Sequence, residues 1–546
     1  MTLRYGFVIE KGDTLGAEGK HLTLRGFLIG LIGSVVITMS SMYVALRMGA
    51  LPWPTIFVAI LSMVILKAMG GTNKGEITVT HTAMSTGGLV AGGVAFTIPA
   101  IWMLDPGATP DLPALFAVTL SGTILGLIFT VLIRHHFIEE EKLPFPMGQA
   151  AAQTVEAGME GGQKARKIFI PTGIAVVFTA LRDQWGIIPA ALSSAGLAAR
   201  NIFFGVWMSP MAVGIGYIIG PLYMGTWLAG GILSYFMLIP LGISWGWFAS
   251  VEVAEAFKNS AGIGLIIGAG LGILAKNILP KAKDIFGSVF SGKTGDIKVR
   301  LPWLGLIVAI IVAALVGIAG IPLIPSLLLI VGVWLVTSMA AAITGQTGID
   351  PMEVFGIIVL LFIKIFADPG PVASVYIAAV AAIAAAIAGD ALQDFKAGSI
   401  LHTDPKAQFI GEAMGGIVGA FVSVGAFFIM KEAYGAMGPG TGLLAPQAYG
   451  VSLMVSGLPN AGAFYGGLAV GFILHMIGIP AMTLGIGMYL PMVITSAAAL
   501  GGIGKLLVKK FAPKRDEDFQ LGASGLLGGE GITGMAIAII QVLTRS

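Results

Sequence analysis

The sequence predicts an all-α fold, a polytopic transmembrane helical bundle, and three observations carry that reading. Of 546 residues, 56% are hydrophobic and only 11% charged, whereas a soluble domain carries about 25% charged residues. Apolar runs of roughly 18 or more residues, each long enough to cross a bilayer, recur along the whole length. The short alternating strands of a transmembrane barrel are not seen. The 79 glycines suit close helix contacts and broken helices in lipid. The absence of cysteine excludes a disulfide frame, a thiolate metal site and a cysteine nucleophile.

Residues 1–21 read as a cytoplasmic N-terminal tail, polar and charged through Arg4, Glu10, Lys11, Asp13, Glu18 and Lys20. The tail lacks the apolar core and cleavage site of a signal peptide, so the span from about Leu22 acts as an uncleaved anchor. A first transmembrane half, 22–285, has apolar segments starting near Leu22, Leu51, Ile77, Leu112, Ile168, Ile187, Ile202, Leu222, Ser244 and Gly262. The longest polar break, Lys276 to Arg300, contains a basic linker at 286–300 that reads as cytoplasmic by the positive-inside rule. A second half, 301–546, has segments starting near Leu301, Leu323, Val354, Val372, Phe409, Pro446, Ala461, Pro480 and Phe519. Several are too short or too rich in Gly and Pro to span alone. About 14–16 spans are expected, with broken or re-entrant helices among them. Further basic clusters lie at 134–136, 163–167 and 505–515; the side of the last, and of the C-terminus, stays open.

The halves are expected to be pseudo-symmetric. "LPFPMGQAAAQTVEAG" from Leu143 and "LLAPQAYGVSLMVSG" from Leu443 place Pro146 over Pro446, and "TGGLVAGGVAF" from Thr86 is similar to "AMGGIVGAFVS" from Ala413. Interrupted hydrophobic segments at matching places in two halves point to a transporter's binding site. On a helix, Gln149, Gln153, Glu156 and Glu160 share one stripe. After Pro446, Tyr449, Ser452, Ser456 and Asn460 are expected to form a second stripe, mainly of hydroxyls, with Gln447 beside it. Proline sets where each helix begins. Two readings of the first stripe stand: a broken helix lining a polar path, or a solvated amphipathic helix in a cytoplasmic loop. Gln346, in Thr344–Gly348, marks either an unwound stretch that contacts solute or a plain turn.

An ionisable residue inside a span is costly and hence a functional candidate. Glu76 and His81, five apart, project about 140° from one another, so a direct relay is disfavoured and both are expected at a watery mouth. Asp390 and Asp394 share a helix face with Gln393, either as a proton-accepting pair or as an interfacial end near Lys396. Glu412 precedes Gly415 and Gly419, a small-x-x-x-small packing face. Glu530 lies between glycines in an apolar segment far from any charge in sequence, which suits a proton-coupling or gating carboxylate. Lys364 and Asp368 are expected to pair locally, and His475 to be a packed residue.

The stretch "KLPFPMGQAAAQTVEAG" resembles the Leu-Pro-Phe-Pro segment of the oligopeptide transporter family, which includes the yellow-stripe metal-chelate transporters. Other stretches resemble that family in the same order: Leu24 to Gly49, with Tyr43, Leu46 and Gly49 at its end; Ala91 to Ile101; Asp394 to Val422; and "GASGLLGGEGITG" from Gly522. The Asn-Pro-Gly and Lys-Ile-Pro-Pro-Arg segments of the eukaryotic peptide-transporting branch are missing, Asp368-Pro369-Gly370 being a partial echo. The resemblance therefore leans to the prokaryotic branch. It implies a multi-pass cell-membrane protein, a secondary active transporter importing oligopeptide-like or metal-chelate solutes. It also implies coupling to protons, which the residues alone do not supply. The expected partners are a small solute, protons and the bilayer, with no nucleic acid and no cofactor; the oligomeric state stays open, a homodimer included. Of the alternatives, a pump would need a P-loop and an intramembrane protease His-Glu-x-x-His, and neither motif is present. A channel would be expected to show a filter signature, which is not found.

Overall fold

The computed structural model describes residues 20–49, 55–160, 163–281, 297, 301–348, 350, 352–438, 440–457 and 460–545. The N-terminal tail to residue 19 and nearly all of the 286–300 linker lie outside them. The first half of the chain forms α1 (Leu24–Met48), α2 (Thr55–Met69), α3 (Lys74–Ala95), α4 (Leu112–His135), α5 (Pro146–Glu160), α6 (Gln163–Thr179), α7 (Pro210–Ile219), α8 (Pro221–Ile232) and α9 (Val251–Ile273). The second half forms α10 (Leu301–Gly317), α11 (Leu323–Thr347), α12 (Met352–Phe366), α13 (Pro371–Ile400), α14 (Pro405–Tyr434), α15 (Pro446–Ser456), α16 (Ala461–Met476), α17 (Ala481–Tyr489), α18 (Met492–Phe511) and α19 (Asp516–Arg545). Proline opens α5, α7, α8, α13, α14 and α15, where its fixed φ suits a first turn and its missing N–H is not needed.

Among the described residues ten helices are long and apolar enough to cross a membrane, or up to eleven if α15 and α16 count as one broken span. The polytopic helical class stands, but fourteen to sixteen full-length spans are not seen. The larger expectation counted α2 and α10, which are apolar but short. It also counted the stretches from Ile187 and Ile202. These pair as an antiparallel hairpin, β1 (Ala191–Ser193) on β2 (Gly205–Trp207), and the second then continues only into the short α7. Pro189 and Asn201, the latter at φ 58°, interrupt any helix there.

Packing groups the chain into two compact units, each drawing on both halves: residues 1–162 with 277–455, and residues 163–276 with 456–546. Within each unit the halves pack in matched register. In the first unit, Gly411 and Gly415 of α14 lie against Val79 and Ala83 of α3, while Gly122 and Gly126 of α4 lie against Val380 and Ala384 of α13. One interval separates Val79 from Val380 and Ala83 from Ala384. The Phe145 N–H donates to the Gly345 carbonyl at 2.8 Å, and the Ala445 N–H donates to the Leu46 carbonyl at 2.8 Å. Both donors have positive φ, 44° and 37°, a strained setting for a side-chain-bearing residue. Pro146 and Pro446 are therefore structural equivalents.

In the second unit, Gly264 and Gly268 of α9 meet Phe464 and Leu468 of α16; Gly525 and Gly529 of α19 meet Ile168 and Thr172 of α6. Gly216 of α7 meets Ala498 of α18 as Gly487 of α17 meets Trp227 of α8. Helices α1–α9 thus correspond in order to α11–α19. Equivalent helices run antiparallel: Gly93 of α3 meets Ile383 of α13 while Ser85 meets Asp394, and Met224 and Gly231 of α8 meet Gly502 and Thr495 of α18. That is an inverted-topology repeat. One expected match is corrected. The Thr86 and Ala413 strings belong to α3 and α14, which are not equivalents; they are packing partners, Gly419 lying on the Cα of Gly87.

Candidate functional site

The first unit carries a buried polar cluster where α3, α13 and α14 meet. Their backbones approach closely because Gly415 and Gly419 have no Cβ, confirming the small-residue face expected there. The run of α13 from Ala378 to Ala388, alanines with Val380, Ile383 and Ile387 among them, is fully buried. Asp390, Gln393 and Asp394 follow on the same helix, all buried. Ser85 Oγ donates to Asp394 Oδ2 at 2.5 Å, and His81 Nε2 lies 3.4 Å from Asp394 Oδ1. Gln408 Nε2 donates to the Asp394 carbonyl at 2.9 Å. Thr86 Oγ1 donates to Glu412 Oε2 at 2.6 Å. Glu412 is 0% exposed, and its other oxygen is buried without a hydrogen-bond partner among the described residues.

The acidic chain continues into residues that the sequence did not single out. Asp350, between α11 and α12, has both carboxylate oxygens buried and unpartnered among the described residues, and it touches the position of a Cβ on Gly389. Asp390 sits within electrostatic reach of Asp350, Asp394 and Glu412, and Glu353 of α12 within reach of Asp350. Buried carboxylates repel one another and cannot all be ionised without counter-charge. Two of them, Asp394 and Glu412, are held by hydroxyl donors, Ser85 and Thr86. The helix-face spacing made Asp390 and Asp394 legible. A carboxylate just before a proline at the head of an apolar run, Asp350 before Pro351, was the available signal for the rest.

His81 and Glu76 are each 1% exposed, Glu76 in the first turn of α3 beside the part-exposed Arg25. They face different partners. Glu76 is ion-paired with Arg25 at 2.6 Å and accepts from Thr23 Oγ1 at 2.5 Å, so it ties α3 to the start of α1. His81 faces Asp394. Lys364 lies within electrostatic reach of Asp368 but forms no salt bridge with it among the described residues; its ammonium donates to the carbonyls of Met454 and Val455, both at 3.2 Å. Lys67 on the equivalent helix α2 does the same at the end of α5, reaching Gly158 at 2.8 Å and Met159 at 3.2 Å. A lysine thus answers the last carbonyls of both α5 and α15. His475 packs against Gly272.

On α5, Gln153 and Glu156 are exposed and Gln149 is half-buried, while Ala151, Ala152, Thr154 and Val155 form the buried face. Glu156 pairs with Lys74 at 3.2 Å. The side chains of Glu160 and Gln346 lie outside the described residues. The first free N–H groups of α5 do not point into open space: Gly148 N–H donates to Gln393 Oε1 at 2.9 Å. On α15, Gln447 is buried and donates to the Gly49 carbonyl at 2.6 Å. Ser452 is buried, Tyr449 half-buried and Ser456 exposed.

Glu530 sits in the second unit, 0% exposed. It accepts from Ser209 Oγ at 2.9 Å and from the Met211 N–H at 2.8 Å, at the start of α7. Its other oxygen is 2.8 Å from Arg182 Nη1. The expectation that it lacks a partner is therefore corrected. Arg182, far from it in sequence, supplies the counter-charge and also grips Asp183 at 2.7 Å.

The match to known proteins decides the family. The family model of the OPT oligopeptide transporter protein matches residues 21–541. The chain belongs to the OPT family. This OPT member is 26% identical to a Haemophilus influenzae protein named "Putative oligopeptide transporter", over 91% of the chain and 92% of that protein. It is 24% identical to the metal-nicotianamine transporter YSL1 of Arabidopsis thaliana, over 80% and 76% of the two chains. With YSL3 of the same plant, also named a metal-nicotianamine transporter, the identity is 23% over 76% and 72%. It is a multi-pass membrane transporter, not an enzyme.

Proposed function

We propose that this OPT transporter imports a small peptide-like solute or its metal chelate across the cell membrane, driven by protons that the buried acidic cluster of the first unit takes up and releases. The names of its relatives support that solute class. The observation that supports the coupling is the cluster itself. Asp390, Asp394, Glu412 and Asp350 lie buried in one packed core with His81 as the facing base. An ionised group at the bilayer centre costs about 2.5–3.5 kcal/mol on insertion scales, so charge change there is strongly linked to conformation. Gln393 gives the linkage a path: it shares α13 with Asp390 and Asp394 and caps the start of α5, whose outward stripe of Gln149, Gln153 and Glu156 is the solute-facing wall. Tyr449, Ser452 and Ser456 take the equivalent place on α15. In this reading Glu530 is a structural ion-pair member and the proton sites are in the first unit.

The test uses purified protein in proteoliposomes, offered a tripeptide mixture and iron(II)–nicotianamine. An acidic exterior should drive accumulation of one of them. Asp394→Asn and Glu412→Gln should each keep the thermal-shift response to that solute and lose pH-driven accumulation by roughly tenfold or more, about 1.4 kcal/mol of coupling. If both variants concentrate solute with the wild-type pH profile, the cluster does not couple protons.

A further inference from the structure

The second unit holds a cavity of about 720 Å³ between the first turns of α6 and α19. Its polar lining is Arg166, Lys167, Arg515 and Asp518, and its apolar lining includes Ile170 and Phe519. The single acid is already taken: Lys167 Nζ lies 2.5 Å from Asp518 Oδ1. Arg166 and Arg515 are exposed and have no acidic partner among the described residues. The cavity therefore carries surplus positive charge. From its mouth an exposed apolar track runs along α6 through Ile170, Ile174 and Val177, which are 49%, 58% and 58% exposed. These residues recur at helical spacing on one face, and a face of that kind in a membrane protein meets acyl chains.

The inverted repeat shows that this charge is not a by-product of the fold. Ile168 and Thr172 correspond to Phe464 and Leu468, and Gly525 to Gly264, by their matched close approaches. Carried two or more residues along each helix, the same register puts Gly462 and Ala463 where Arg166 and Lys167 stand, and Ala254 where Arg515 stands. The equivalent place on the opposite side of the unit therefore has no basic residue at any of these three positions. One end of a symmetric framework has been made basic. The clusters at 163–167 and 505–515 meet at that end, which by the positive-inside rule faces the cytoplasm.

We propose that this cavity is a binding site for an anionic phospholipid of the cytoplasmic leaflet, its phosphate held by Arg166 and Arg515 and one acyl chain lying on the Ile170–Ile174–Val177 track. Basic pockets beside membrane helices are the form such sites take, and guanidinium groups bind phosphate oxygens in a bidentate manner. The combination of surplus cations with a continuous apolar track distinguishes a lipid from a free anion, which needs no track, and from a neutral lipid, which needs no cations.

The test is native mass spectrometry and thermal unfolding of the full-length protein in detergent, titrated with cardiolipin, phosphatidylglycerol, phosphatidylcholine or inorganic phosphate. The anionic lipids should stay bound and raise the melting temperature, while phosphatidylcholine and phosphate should not. The double variant Arg166→Gln/Arg515→Gln should bind anionic lipid roughly tenfold or more weakly, the effect two cations exert near anionic headgroups. Lys509→Gln/Lys510→Gln, which removes the same charge from exposed positions outside the cavity, should bind as wild type does. Ile170→Glu, at an exposed position, should weaken binding with both arginines intact and serves if the double variant does not fold. Equal protection by phosphatidylcholine, equal protection by phosphate, or wild-type affinity in the arginine or Ile170 variants would each overturn the proposal.

Discussion

At the scale of single residues, what a buried charge does depends on partners that lie far off in the chain. Glu530 and Asp394 look alike in sequence, each an acid in an apolar helix. The fold gives Glu530 an arginine at 2.8 Å and a helix start to cap, whereas Asp394 receives a serine hydroxyl and a histidine amid other carboxylates. The first arrangement pairs the charge, and the second sets it among other acids. Breaking a buried pair by removing one partner costs about 3–5 kcal/mol, because the other charge is left behind. Arg182→Met should therefore lower the melting temperature of the solubilised protein well below that of Glu530→Gln, which leaves Arg182 with Asp183. The double variant Arg182→Met/Glu530→Gln should recover part of the loss. Equal melting of the Arg182 single and the double would mean that the pair carries no such cost. The burial of Glu530 was legible in its glycine-flanked apolar setting. Its partner was not, because nothing in a local window links residue 182 to residue 530.

At the scale of elements, glycine decides which helices touch. A Cβ at Gly268 would collide with the backbone carbonyl of Leu468, and one at Gly415 with that of Ala83, whereas a Cβ at Gly425 would meet nothing within 4 Å. Backbone cannot yield as a flexible side chain can, so overpacking at such a site costs about 1–3 kcal/mol or more. Gly268→Leu should accordingly lower the melting temperature and the folded yield, measured by size-exclusion chromatography. Gly425→Ala should raise stability by about 0.5–1 kcal/mol, the usual gain from replacing an unneeded helix glycine. If both variants melt alike, close backbone approach is not what holds α9 to α16. The packing face at Gly415 and Gly419 could be read from its spacing. The number of full spans could not, since hydropathy reports how apolar a stretch is and not whether it continues as one helix. The stretches at Ile187 and Ile202 are apolar enough to mislead, yet Pro189 and Asn201 turn them into a hairpin.

At the scale of the molecule, the repeat is the organising fact, and only part of it was visible beforehand. The Pro146–Pro446 match held because a proline-led helix after a positive-φ residue is a costly local structure with few sequence solutions. The Thr86–Ala413 match misled because Gly/Ala strings arise wherever two helices pack closely, whether or not they are equivalents. The inversion has a consequence for topology that labelling can measure. In the second unit α8 and α18 are equivalents that run antiparallel, so the start of α19 and the equivalent start of α9 open on opposite faces of the membrane. The basic residues 505–515 directly precede α19, and the positive-inside rule predicts the cytoplasmic side for them. The loop before α9 holds Trp245 and Trp247, 60% and 65% exposed, aromatic residues of the kind enriched at a membrane interface. The chain has no cysteine, so a single introduced thiol reports one position without background. Lys514→Cys and Ala249→Cys are both at exposed sites. A membrane-impermeant maleimide applied to intact cells should label Ala249→Cys and spare Lys514→Cys, and inside-out vesicles should give the reverse. Labelling of both thiols from the same side would mean that the two halves of this unit are not inverted, and with that the asymmetry argument for the basic cavity would lose its reference face.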